Sequence, residues 1–148
     1  MSVVAAIHVL AATIVAGGLF FACLIMRPAA GGVDPGVRLP LWRRTLQRFF
    51  LWVAGAILTM NASGYVLAQR GDILPTVELH LKHAFGWILL LLIAYIFAVP
   101  FRRMEYAMGQ GERPRAAQHL RHAHRAMYLA LALALLGMAL GAEGSIIR

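Results

Sequence analysis

The sequence predicts an all-α integral membrane protein, an antiparallel four-helix bundle with both termini periplasmic. Three observations predict it. The 148-residue chain is 61% hydrophobic and only 14% charged, where soluble domains carry roughly a quarter charged residues. Its apolar residues gather in four blocks, each near the ~20 residues that cross a bilayer as a helix. Its positive charge is concentrated in alternate connections. No block alternates polar and apolar residues, which argues against barrel strands.

The first helix is expected over about 3–26, broken only by His8 and Thr13. Residues 1–7 carry no side-chain charge and the apolar run is longer than a signal-peptide core, so a retained helix is expected. Arg27-Pro28 is expected to end it, because proline disfavours a helical residue before it. The stretch 29–40 holds three glycines and two prolines, a turn-rich connection. Helix 2, about 41–68, opens on Leu41-Trp42-Arg43-Arg44, an interfacial tryptophan beside snorkelling arginines. Gly71 and Pro75 mark a short connection. Helix 3 covers about 78–100 and closes at Pro100. Helix 4, about 115–142, has a basic lead-in before its apolar part. Residues 1–148 read as one domain. Trp42, Trp52 and Trp87 read as interface anchors or packing. Gly137 and Gly141 form a GxxxG pair that permits close helix packing and leaves a homo-oligomer open.

Charge sets the orientation. Arg27, Arg38, Arg43, Arg44 and Arg48 fall in the first connection and its flanks. Arg102, Arg103, Arg113, Arg115, Arg121 and Arg125 fall in the third. The second holds Arg70 against Asp72 and Glu78. Basic loops stay in the cytoplasm, which implies a multi-pass membrane protein with both termini on the outer side. The net charge of +8 follows from that topology, and no basic-aromatic face suggests nucleic acid. Cys23 is the single cysteine, so no internal disulfide or CxxC motif exists. No Asp or Glu lies inside a span, which disfavours a proton or solute transporter. Met60, Asn61, Thr13 and Cys23 are the midplane groups, a thin path for copper transport.

All six histidines lie at the ends of apolar blocks. An imidazole in hydrocarbon is costly unless paired, hydrated or bound to a metal. His8 falls ~8 Å below the outer end of helix 1, and His80 and His83 fall ~3 and ~8 Å into helix 3, at 1.5 Å per residue. His80 and His83 share a helix face. These three rings fall near one level, where they could clasp a haem or a metal. The alternative is a structural role, with hydrogen bonds to water, Glu78 or a carbonyl. Lys82 and Arg70 lie at the same end and could pair with haem propionates. His119, His122 and His124 sit among Arg115, Arg121 and Arg125. No histidine at the inner ends of helices 1 to 3 opposes them, so a second bis-histidine haem is not supported. They read as a basic face against anionic membrane lipid.

Several segments resemble CopD-like (copper-resistance protein D) membrane proteins. They are His8 with Gly17-Gly18 and Arg27-Pro28-Ala29, then Leu41-Trp42-Arg43-Arg44 ahead of Arg48-Phe49-Phe50-Leu51-Trp52. Ala62-Ser63-Gly64-Tyr65, Leu79-His80-Leu81 and Ala98-Val99-Pro100-Phe101-Arg102-Arg103 follow. The resemblance implies a four-helix bundle in the bacterial inner membrane with a link to copper. The layout is also similar to the membrane protoporphyrinogen-oxidase family, associated with haem b. That family pairs a helix-1 histidine with His and Lys at the start of helix 3. His8 matches the first, and His80, His83 and Lys82 approximate the second at different spacing.

Three functions are therefore expected to compete. The first is a haem b protein with a redox role, a membrane oxidoreductase or electron carrier. Its iron would be held by His8 with His83 or His80, and it would exchange electrons with quinone or another redox partner. The second is copper binding or transfer by the same imidazoles. The third is a cofactor-free structural or interaction subunit.

Overall fold

The computed structural model describes residues 2–69 and 77–146, with the side chains of 77–79, 82 and 141–146 left undescribed. Among these residues the chain is helical, with four helices long and apolar enough to cross a membrane. Helix α1 runs over Val3–Gly31 and α2 over Pro35–Gln69. Helix α3 runs over Val77–Ile96, through a π-helical turn at Phe97–Phe101, into Arg102–Gly109. Helix α4 is Arg113–Ile146. The Ser2 hydroxyl caps α1 by accepting the Ala5 N–H at 3.3 Å, which satisfies a donor with no intrahelical partner.

Cross-helix contacts fix an up-down-up-down order. His8 meets Met60 and Ser63 on α2, and lower on α1 Gly18 faces Phe49 and Val53. Asn61 lies over Gly86 of α3, and Phe50 packs edge-on to Phe97 and Phe101. Gly137 of α4 faces Phe85, and Arg27 of α1 reaches Tyr128 of α4. A core from Val15 to Ala134, with members such as Leu19, Leu46, Ile93 and Met127, draws on all four helices. The exterior is apolar as well: Leu51 is 76% exposed and Leu91 68%. Such a surface suits hydrocarbon and is a liability in water.

The helices are longer than their prolines suggest, and each extension has a local cause. Between α1 and α2, the Asp34 carboxylate accepts the Gly36 N–H at 2.7 Å, and its carbonyl accepts from Val37 and Arg38. An Asp cap followed by Pro35 starts a helix well, so α2 begins at Pro35, ahead of the expected Leu41, and carries Pro40 inside it. Between α3 and α4, Glu112 N–H bonds the Ala107 carbonyl at 2.9 Å and Gly111 N–H bonds that of Met108 at 3.1 Å. This is a Schellman turn, and Gly111 takes the positive φ of 74° it requires.

Helix α1 does not end at Arg27-Pro28. A π-helical turn occupies Phe21–Met26, where the Arg27 N–H bonds the Ala22 carbonyl five residues back. In that register the Cys23 carbonyl faces Pro28, which has no N–H to give. The Tyr128 hydroxyl of α4 donates to the Cys23 carbonyl at 2.8 Å instead. Helix α3 likewise passes Pro100 within its own π-helical turn, where Arg102 N–H bonds the Phe97 carbonyl. Both basic connections lie at one end of the bundle, hereafter the turn end; the opposite end carries the termini.

Candidate functional site

A polar layer crosses α1, α2 and α3 toward the terminal end. Its centre is His8, half-buried against α2. The His8 Nδ1 lies 2.9 Å from the Met60 carbonyl. A carbonyl can only accept, so Nδ1 carries the proton and the lone pair is left on Nε2. Ser63 supports this geometry. Its hydroxyl is 2.7 Å from the Thr59 carbonyl, so its proton goes there and its oxygen accepts from His8 Nδ1 at 3.1 Å.

Two glycines let the helices approach at this level. A Cβ on Gly64 would stand 3.2 Å from His8 Cε1 and 3.5 Å from Nδ1, so the imidazole lies directly on the α2 backbone. A Cβ on Gly86 would overlap the Asn61 Oδ1. Asn61 therefore fills the place a side chain would take on α3, and its buried Nδ2 has no hydrogen-bond partner among the described residues. His83 of α3 lies within electrostatic reach of His8 and is partly buried.

The expected ligand residues separate on this geometry. His8 of α1 and His83 of α3 lie within electrostatic reach of each other. His80 lies on the same helix but is exposed. Arg70 and the Lys82 side chain, the expected partners for haem propionates, lie outside the described residues. Among the described residues no group of three or more His, Cys, Asp or Glu side chains could hold a metal ion. Ser63, Gly64 and Gly86 have roles the sequence reading did not give them. Their signal is a run of small and polar residues, Asn61 to Gly64, inside an apolar helix, with a lone glycine, Gly86, inside the next one.

The turn-end histidines divide differently from the expected basic face. His119 is part-exposed and His122 exposed, with ring centroids 6.4 Å apart. His124 is buried, edge-on to Trp42 at 4.4 Å between centroids. Its Nε2 has no hydrogen-bond partner among the described residues. Trp42 is only 1% exposed, so it is core packing and not an interface anchor. Arg27 donates to the Tyr128 oxygen at 3.0 Å and stacks over its ring at 5.2 Å. Arg43 and Gln47 both donate to Glu105 of α3, at 2.9 and 2.8 Å. These contacts are structural braces across the turn end.

No family model matches the chain, and no curated protein or solved structure matches it.

Proposed function

We propose that the chain is a multi-pass protein of the bacterial inner membrane that binds a b-type haem between α1 and α3 and exchanges electrons. The orientation follows from the basic turn end, which stays cytoplasmic and leaves both termini periplasmic. One observation carries the cofactor reading: the Nδ1–H of His8 is spent on the Met60 carbonyl. A backbone acceptor on one ring nitrogen is the usual way to hold the other as a metal ligand.

His83 is the proposed second ligand, on α3 and partly buried, in preference to the exposed His80. Met60 and Ser63 orient His8, and Gly64 admits its ring. Asn61 offers an unpaired N–H in the same layer, a donor for a bound quinone carbonyl or other redox partner. Arg70 and Lys82 remain the proposed propionate partners. When bound, the haem would supply one-electron exchange at iron. The similarity in layout to the membrane protoporphyrinogen-oxidase family carries over to His8 and His80, and less closely to His83.

The test is cofactor content per folded chain, measured as pyridine haemochrome alongside elemental copper in protein purified from haem-supplied cells. Haem near one equivalent, lost in His8→Ala and kept in His122→Ala, is expected. Folded protein with copper and no haem moves the assignment to copper. Folded protein with neither removes the cofactor.

A further inference from the structure

We propose that the turn end binds a phosphate group through a pocket separate from the histidine layer. An open groove of ≈ 260 Å³ lies where α3 and α4 meet, lined by Arg102, Arg103, Tyr106, Glu112, Arg115 and His119. A water occupies about 30 Å³ of liquid, so the space admits a phosphate with part of its ester. The lining comes from the last turns of α3 and the first of α4. The Schellman turn at Gly111 folds these two sets of cations toward each other.

The charge balance of the pocket is uneven. Its one carboxylate, Glu112, is engaged by Arg115, whose Nη1 lies 3.1 and 2.9 Å from the two oxygens. Glu105, the next acid on α3, is engaged by Arg43 and Gln47. Arg102 and Arg103 have no ion-pair partner among the described residues. Two guanidinium groups are thus left facing a groove that also offers a phenol and an imidazole. Guanidinium matches phosphate oxygens with paired N–H donors, and Tyr106 and His119 add further donors.

Depth suggests where the phosphate comes from. Phe101 is buried and Arg102 follows it directly, so the pocket begins where the apolar part of α3 ends. In the orientation proposed above, on which this step rests, that is the level of the cytoplasmic headgroups, where anionic lipids concentrate. The phosphate of an anionic lipid is the expected ligand, and soluble phosphate shares its chemistry.

The experiment titrates the full chain in neutral detergent with short-chain phosphatidic acid, phosphatidylcholine or inorganic phosphate at fixed ionic strength. Binding is read by native mass spectrometry. Phosphatidic acid is expected to bind tighter than phosphatidylcholine. R102Q/R103Q weakens it by about tenfold or more, while R121Q, outside the pocket, changes it less than about twofold. R102K/R103K keeps the charge and guards against misfolding; it is expected to retain part of the affinity. Inorganic phosphate that competes at matched concentration upholds the site and assigns it to soluble phosphate. Equal loss in R121Q and R102Q/R103Q, or no preference of phosphatidic acid over phosphatidylcholine, overturns it.

Discussion

The His8 ring rests on Gly64, with Cε1 only 3.2 Å from where a Cβ would stand. This contact sets the distance between α1 and α2 at the level of the polar layer. It also holds Nδ1 against the Met60 carbonyl. Gly64→Ala should push the ring outward by a few tenths of an ångström and cost about 1 kcal/mol. Denaturant unfolding in detergent measures this. The cost should vanish when His8 is also alanine, and a cost that persists there would show another origin.

Asn61 and Gly86 form a second interlocked pair. Gly86→Ala places a methyl where the Asn61 carboxamide lies, so it should destabilise by about 1–3 kcal/mol. Asn61→Ala removes both the clash and a buried N–H without a partner, so alone it should stay within about 1 kcal/mol of wild type. The double variant should recover most of the Gly86→Ala loss. Additive losses would contradict the pairing.

Tyr128 stands in for the donor that Pro28 lacks. Tyr128→Phe leaves the Cys23 carbonyl without the hydroxyl at 2.8 Å and should cost about 1–3 kcal/mol. Pro28→Ala restores a backbone N–H, so Tyr128→Phe should cost less in that background. An unchanged cost would mean that Tyr128 acts mainly through Arg27, which it meets at 3.0 Å.

His124 is expected to act as an aromatic packing group. It is buried edge-on to Trp42, so His124→Phe should be tolerated within about 1 kcal/mol, because it removes an unpaired polar nitrogen. His124→Ala should cost about 2–4 kcal/mol through the cavity it leaves. Thermal melting in detergent separates the two. Equal damage from both would point to a polar role for the ring.

Much of the fold was legible in the sequence because hydrocarbon imposes a simple rule. Four apolar blocks of spanning length gave the four helices, and depth counting brought His8 and His83 toward one level. The helix ends were less legible. Pro28 and Pro100 read locally as stops, but π-helical turns carry the helices through them. For Pro28 the compensating donor, Tyr128, comes from a distant helix, which no local rule can see. His8 stood out in the sequence as a polar ring inside an apolar helix, but the groups that support it did not. Ser63, Gly64 and Gly86 matter through contacts between helices, and single-chain periodicity does not encode which faces meet. His124 was misjudged for the same reason, and Trp42 was left between interface anchor and packing. Each sits beside arginines in sequence, yet both turn inward.

The most direct measurement is the visible spectrum of the protein purified from haem-supplied cells and reduced with dithionite. A Soret band with resolved α and β bands is expected for bis-histidine ligation. His8→Ala and His83→Ala should each abolish or shift it, while His122→Ala leaves it unchanged. A colourless folded protein, or an unaltered spectrum in both the His8 and His83 variants, would contradict the account.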